Sequence, residues 1–418
     1  MQKLIIKSKK KLSGRIPISG SKNATLPILA ASILSNKSVT LKNVPFVQDV
    51  YTMINLLKHI GMNVKIFKNK NILKISNDKH LQTIAPYRLL KTMRAGVLVL
   101  GPLLARYKKA KVSLPGGCAI GTRPVNLHLF ALKKLGAKIK IKNGYIFASA
   151  KNGLKGSFIK FPSVSVGATE NAILAAVSAE GQTTLANCAT EPEIQDMIIF
   201  LNKMGCKIKT LKKRKILIDG IMNFLPTTHK IIFDRIELGT YLIAAALVGE
   251  KIIFTKINPN IIKTEIKILK KMGVKLIIDK NKITVLKSNN IKNISLKTEP
   301  YPGFPTDLQA QIMVLMTKAK GKSTIKENIF ENRFMHVPEL KRMGAKIETK
   351  NNIAIINGPC SLSGAEVMAT DLRASVSLVL AGLVADNRTI INRVYHLDRG
   401  YEKLDKKLLN CKVNIRRI

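Results

Sequence analysis

A unit of about 70 residues recurs six times along this chain, and a fixed period of that length decides the architecture before any other feature does. Its mark is a Gly that follows a Lys-rich helical stretch and precedes a short strand: Gly61, Gly136, Gly205, Gly273 and Gly344, with a degenerate sixth copy at Leu409-Asn410-Cys411. Successive marks stand 75, 69, 68, 71 and 66 residues apart. Gly, or Asn in the last copy, suits the left-handed residue that ends a helix.

Upstream of each mark lies an apolar stretch of helical length with a polar start. The six starts are Ser21-Lys22-Asn23, Thr92-Met93-Arg94, Ser165-Val166-Gly167, Asp234-Arg235, Thr306-Asp307 and Asp371-Leu372-Arg373. The stretches that follow, such as 168–179 and 241–248, are apolar on nearly all sides and predict buried helices. A β-type run then returns the chain, at 38–41, 111–114, 183–185, 252–255, 323–325 and 389–391. The unit reads helix, strand, loop, second helix, strand, which argues for an α/β protein. With 418 residues, 46% of them hydrophobic, the chain can build two or three domains, and three copies in each of two would fit.

The polar starts have two readings. Each can be an ordinary helix cap, or the buried helix starts can be anion sites, where free N–H groups converge with Lys and Arg. Several starts carry cations where the helix dipole disfavours positive charge, which argues that capping is not their whole purpose.

The net charge of +46 raises nucleic-acid binding as a possibility. Against it, Lys numbers 56 and Arg only 15, the Lys residues are scattered, and aromatic content is 5%. No specific nucleic-acid partner is therefore expected, and a basic field that attracts anionic metabolites is the modest alternative. Residues 1–12 are basic without an apolar stretch of signal-peptide length, and no run is long enough to cross a bilayer, so a cytoplasmic protein without a membrane partner is expected. Five Cys without a Cys-x-x-Cys pair give no disulfide framework or zinc site. Among the six His no metal signature appears, and His59 and His229 read as surface or satisfied structural residues. Cys206 and Cys411 read as core hydrophobes at the repeat position filled elsewhere by Met62, Ala137, Val274 and Ala345.

Cys118 breaks that pattern, because it sits among the Gly and Pro residues of 114–124, between strand and second helix. Such a loop is exposed and suits a nucleophile or a general acid, with a buried loop thiol as the bland alternative. Arg123 favours the thiolate, and a bound anion would favour the thiol. Matching loops in other copies are also polar: Glu191-Pro192-Glu193, Glu331-Asn332-Arg333 and His396-Leu397-Asp398-Arg399. The helix starts and these loops together supply the cations Lys22, Arg94, Arg123, Arg333, Arg373 and Arg399 and the acids Glu191, Asp307 and Asp371. That set suits two polyanionic substrates, with Arg as a bidentate clamp and Lys as a point charge. No phosphate-loop or dinucleotide fingerprint is present, which argues against ATP or NAD chemistry, and no cofactor is expected.

On Gly20-Ser21-Lys22-Asn23-Ala24, Lys91-Thr92-Met93-Arg94-Ala95, the Cys118 loop, 165–169, 304–307, 331–336 and 398–402, the chain resembles the UDP-N-acetylglucosamine enolpyruvyl transferases from about Lys11 to Tyr401. The resemblance implies a two-domain inside-out α/β barrel of six repeats, pseudo-threefold in each domain. The first domain would span 21–232 and the second 1–20 with 233–418, with the active site in the cleft between them. The implied reaction, the first committed step of peptidoglycan synthesis, moves the enolpyruvyl group of phosphoenolpyruvate onto the 3-hydroxyl of UDP-N-acetylglucosamine and releases phosphate through a tetrahedral intermediate. In that scheme Cys118 is the general acid that protonates the methylene carbon, and it can carry a covalent phospholactoyl adduct. Asp307 is the base near the sugar hydroxyl, although its place at a helix start lowers its basicity.

Lys22, Asn23, Arg123, Arg333, Arg373 and Arg399 would hold phosphoenolpyruvate, Lys22 and Arg399 also stabilising the reacting charge. The nucleotide sugar would contact Asn23, Arg94, Arg123, Pro124, Val125, Asn126, Leu127, Ser163, Val164, Ser165, Val166, Gly167, Asp307 and Ile329. Some members have Lys in place of Ser163, and many have Asp in place of Asn126, which changes the donors offered to the nucleotide. A monomer or weak oligomer is expected. The alternatives are the sister enzyme that uses shikimate 3-phosphate, and a non-catalytic protein of the same fold that binds anionic sugars or RNA.

Overall fold

The computed structural model describes residues 2–7, 11–77, 80–116 and 124–418. These divide into two compact units, one drawn from residues 20–232 and the other from residues up to 19 together with 233–418. Each has its own hydrophobic core.

In the unit of residues 20–232, the helices Lys22–Ala31, Leu100–Tyr107 and Val166–Ala176 pack against one another at the centre. From Ala24 to Ala31 and from Ala168 to Ala176 every residue is buried, as their lack of a polar face requires. The close approach of the second and third helices is made at Gly101, whose amide donates to Asn171 Oδ1 at 2.8 Å. A Cβ at Gly101 would stand 2.4 Å from that oxygen. In the other unit the central helices are Arg235–Val248, Gln309–Met316 and Leu372–Val384. Sheets thus surround helices in both units, and the helices rather than the strands are the buried layer.

Each copy contributes one four-stranded sheet, six among the described residues. All six β-type runs are strands: Val39–Lys42, Lys109–Ser113, Gln182–Ala186, Gly249–Thr255, Gly321–Lys326 and Arg388–Asn392. Each pairs in parallel with a short edge strand on one side and antiparallel with a further strand on the other. The repeat therefore has two more strands than its reading as helix, strand, loop, helix, strand provides. The edge strands are short, as little as Ile84–Ala85, and the outer strands, such as Lys138–Lys142, alternate Lys with Ile so that one face stays in water. For the first copy the edge strand Thr227–Lys230 comes from the far end of the unit and pairs with Val39–Lys42. In the sixth sheet, Leu4–Lys7 lies between Arg388–Asn392 and Asn414–Arg417.

The five marking glycines all have positive φ, from 85° to 107°. The sixth mark falls two residues later than expected. Asn410 is right-handed at φ −62°, while Lys412 takes φ 72°. The hydrogen bonds agree: Lys412 N donates to Leu409 O and Val413 N to Leu408 O, as Gly61 N does to Lys58 O and Met62 N to Leu57 O. Val413, not Cys411, is thus the counterpart of Met62 and Cys206, although Cys411 is buried all the same.

No helix among the described residues is long and apolar enough to cross a membrane. Four of the six polar starts are side-chain caps. Ser21 accepts from Ala24 N, Ser165 from Ala168 N, Asp234 from Ile236 N and Glu237 N, and Asp371 from Arg373 N and Ala374 N. The other two starts, Arg94–Val99 and Thr306–Leu308, are 3-10 turns that lead into the helix.

Candidate active site

In the unit containing residues 233–418, Asp307 stands in the 3-10 turn ahead of Gln309–Met316, with its carboxylate between two guanidinium groups. Arg333 reaches Oδ1 at 2.8 Å and Arg373 reaches Oδ2 at 2.7 Å. The arginine side chains are 4% and 8% exposed, the Asp307 side chain 30%, so the acid is the member of the trio open to a ligand. Burial opposes the charge on Arg373, yet Asp307 and the surrounding groups hold its pKa above the ordinary value. Three predicted residues, two from the fifth copy and one from the sixth, thus form one cluster.

Behind the cluster is a buried polar network. Tyr401 OH lies 2.8 Å from Thr240 Oγ1 and accepts from Arg373 NH1 at 3.3 Å. Thr240 donates its proton to Ile236 O at 2.9 Å, which makes Tyr401 the donor to Thr240. Gln311 Nε2 faces Asp307 O, Thr240 Oγ1 and Tyr401 OH at 2.8, 3.1 and 3.3 Å. Burial raises the Tyr401 pKa, partly offset by Arg373, so the phenol keeps its proton.

Ile329 joins the same region through Glu327. That buried carboxylate accepts from Ile329 N at 2.9 Å and from Thr306 Oγ1 at 3.0 Å, tying the 327–330 loop to the turn that carries Asp307. Asp371 faces its own helix start as a cap rather than offering a free carboxylate. Arg399 ends the 3-10 segment Val394–Arg399 and is half-buried. It is near enough to His396 to add to the burial that lowers that residue's pKa. Its neighbour Asp398 is turned to a different task, a paired contact with Arg417 at 2.8 Å through both oxygens.

In the unit of residues 20–232, Lys22 opens the first buried helix and its Nζ meets Asp49 Oδ2 at 3.1 Å. Asp49 lies in the first turn of the helix Gln48–His59, where the helix dipole favours an anion. Asn23, half-buried, follows on the same helix. Arg94 donates to Pro124 O at 3.3 Å, which brings the second helix start to the beginning of 124–127. Val125 precedes the helix Asn126–Lys134, which carries Leu127. His128 on that helix packs against Gly167, where a Cβ would stand 3.1 Å from its ring. The segments 124–127 and 163–167 therefore meet, with Ser163 exposed, Val164 half-buried and Val166 opening the helix capped by Ser165. Cys118 and Arg123 lie outside the described residues.

Sequence reasoning did not find Asp49, His128, Asn171, Glu170 or the Gln311–Thr240 pair. His128 Nδ1 is 3.1 Å from Asn171 Nδ2, and burial, with Arg94 nearby, lowers its pKa to about 3, so the ring is neutral. Glu170 is pushed well above the usual carboxyl range by burial and by Glu193 and Glu191, the last of which stands among the predicted acids. Of these, Asp49 left a signal. Five of the six second helices carry an acid in the first turn, namely Asp49, Glu193, Glu265, Glu339 and Asp405. His229 is buried against Asp196 at 3.0 Å, and half-buried His59 contacts Arg88, so both are structural. Cys206 is buried and its thiol is pushed up to about 12 by that burial. No group of three or more metal-ligating side chains occurs among the described residues.

The family model for EPSP synthase (3-phosphoshikimate 1-carboxyvinyltransferase) matches residues 6–408. Among solved structures, the enolpyruvyl transferase NikO from Streptomyces tendae superposes with a TM-score of 0.88 at 22% identity, covering 100% of this chain and 98% of its own. An EPSP synthase from Acinetobacter baumannii gives 0.78 at 18%, covering 100% of both. At those identities the likeness speaks for the two-domain fold. Sequence relatives are nearer. The UDP-N-acetylglucosamine 1-carboxyvinyltransferases of Pelagibacter ubique (strain HTCC1062), Rickettsia bellii (strain OSU 85-389) and Geotalea uraniireducens (strain Rf4) are 59%, 51% and 50% identical, each over the full length of both chains. Matched from end to end at that level, this chain belongs to the UDP-N-acetylglucosamine 1-carboxyvinyltransferases within the EPSP synthase family.

Proposed function

We propose that the chain transfers the enolpyruvyl group of phosphoenolpyruvate to the 3-hydroxyl of UDP-N-acetylglucosamine with release of phosphate. The observation that carries this reading is the full-length identity of 59% to an enzyme named for that activity. In the proposed scheme Asp307 takes the proton of the sugar hydroxyl, whose oxygen bonds to C2 of phosphoenolpyruvate. Cys118 delivers a proton to C3, which leaves a tetrahedral ketal-phosphate. Loss of a proton from the new methyl group and departure of phosphate from C2 restore the double bond. Proton transfers of this kind contribute about 10²- to 10⁴-fold each.

The cations Lys22, Arg123, Arg333, Arg373 and Arg399 hold the phosphate and carboxylate of phosphoenolpyruvate in this reading, and Asn23, Arg94, 123–127, 163–167 and Ile329 hold the nucleotide sugar. The reading requires Lys22, Cys118 and Asp307 to serve one substrate pair. Arg333 and Arg373 already engage Asp307. An anion that draws either guanidinium toward itself weakens that hold and raises the affinity of the carboxylate for a proton. Phosphoenolpyruvate thereby makes its own base stronger.

The test is phosphate release from phosphoenolpyruvate with UDP-N-acetylglucosamine, with shikimate 3-phosphate, and with no acceptor. Release that requires the UDP-sugar is expected, and release with shikimate 3-phosphate alone would move the assignment to the sister reaction. Cys118→Ala is expected to abolish turnover at neutral pH while UDP-sugar binding persists; undiminished turnover would remove the acid role.

A further inference from the structure

We propose that Tyr401 is a positioning residue for this reaction, its hydroxyl fixing the guanidinium of Arg373 and, through Gln311, the backbone of Asp307. The inference rests on the reading that Asp307 and Arg373 act on substrate. The phenol is 2% exposed, so it meets no ligand itself. Its oxygen instead collects groups from all three central helices of its unit: Thr240 from the first, Gln311 from the second and Arg373 from the third.

Arg373 has four rotatable side-chain bonds and would ordinarily sample many positions. Here its fork is held at both ends, NH2 on Asp307 Oδ2 and NH1 on Tyr401 OH. A planar guanidinium fixed at two nitrogens has no rotation left about its own axis. Gln311 then ties the other side, because its Nε2 spans Tyr401 OH and the carbonyl oxygen of Asp307. The three oxygens facing this nitrogen also fix which way the amide points. Side chain and backbone of Asp307 are thus referred to the same buried hydroxyl by two routes. In a reaction that needs a carboxylate and a cation in register, a displacement of about 1 Å costs roughly 100-fold in rate.

Tyr401→Phe tests this in the full-length protein, since Phe keeps the ring and the Arg373 contact on its face, 5.8 Å from the centroid. The expected result is a fall in kcat of about 10- to 100-fold, with KM for UDP-N-acetylglucosamine within about twofold of the parent and the thermal midpoint little changed. Arg373→Lys, which cannot span both partners, supplies the second arm. If Tyr401 acts through Arg373, adding Tyr401→Phe to Arg373→Lys costs less than about threefold more, because the shared contact is already gone. An undiminished kcat in Tyr401→Phe, or losses that multiply in the double variant, overturns the inference. A loss of stability with normal turnover per folded molecule overturns it too, by making Tyr401 a packing residue. Should Arg373→Lys and Asp307→Asn both turn over normally, the underlying reading fails along with it. If those two are impaired and Tyr401→Phe is not, only the positioning role is lost.

Discussion

In the proposed scheme Asp307 is the base, yet two buried cations already hold its carboxylate. Arg333 donates to one oxygen of that carboxylate at 2.8 Å and Arg373 to the other at 2.7 Å. Asp307→Asn is expected to lower kcat by about 10²- to 10⁴-fold, and also to lower the unfolding midpoint, because two buried guanidiniums lose their counter-charge. Kinetics and a thermal melt on one preparation check both, and a near-normal rate would sink the base assignment. The residues proposed to meet substrate stand out in the sequence because they lie in short motifs at helix starts and in the polar loops. Their supports stand out less. Asp49 sits 27 residues from Lys22, and Gln311 lies 90 from Tyr401. The acid repeated in the first turn of the second helices marks Asp49, but its pairing with Lys22, like that of Gln311 with Tyr401, is made by the packing of helices, which no local pattern encodes. Tyr401 itself stands in a quoted motif, but the role proposed for it depends on Thr240 from the fourth copy and on Arg373, 28 residues earlier in its own.

At the scale of the element, one repeated plan serves both structure and site. Lys22 and Asp49 in the first copy have a counterpart in the fourth, where Arg235 faces Glu265 at 3.6 Å. In each pair a cation at the start of the buried helix meets an acid in the first turn of the second helix. The acid is favoured there by the dipole and balances a cation that is not. Glu327 does comparable work for a loop, accepting from Thr298, Thr306, Ile329 N and Phe330 N. Glu327→Ala strands those donors and is expected to cost about 3 kcal/mol, read as a shift in the urea midpoint at constant slope. The sixth mark shows where pattern reading falls short. A search for Gly or Asn settles on Asn410, whereas the chain places Lys412 at φ 72°. Lys412→Gly relieves that backbone and is expected to stabilise by roughly 0.5–1 kcal/mol; destabilisation in a urea titration would contradict the assignment. The strands missed in each copy were the parallel edge strand, as short as Ile84–Ala85, and the strand that pairs between the other two, such as Tyr145–Ser149; runs this short do not stand out from loops.

For the molecule as a whole, buried titratable groups make stability depend on pH in opposed ways. Burial depresses His128 to about 3, and His336 to about 4, below an ordinary histidine value near 6.5. As pH falls from about 6.5 toward those values, the unfolded chain binds protons that the folded chain refuses, so stability present above about 6.5 is progressively lost. Glu170, and Glu237 despite Lys407, are raised by burial and act with the other sign, contributing stability at low pH that is lost as pH rises through their folded values. Comparing slopes isolates the histidine, because both glutamates remain when His128→Asn is made. The unfolding free energy of the variant is expected to fall less steeply between pH about 6.5 and 4 than that of the parent, with a ceiling on the difference of about 3–4 kcal/mol. Identical slopes in urea titrations would show that the ring is not held neutral. The six-copy plan, its α/β character and its buried helices were legible at this scale, because periodicity survives where individual contacts do not. The use of Leu4–Lys7 to complete the sixth sheet carries a further consequence. Residues 20–232 hold every strand their three sheets need, so that half can assemble while the remainder is still being synthesised. The other half cannot. Its first strand leaves the ribosome before almost all the rest and must wait, unpaired, for Arg388–Asn392 and Asn414–Arg417 to be made. The two halves share one plan in space but mature on different clocks, and the acid Asp307 belongs to the slower one.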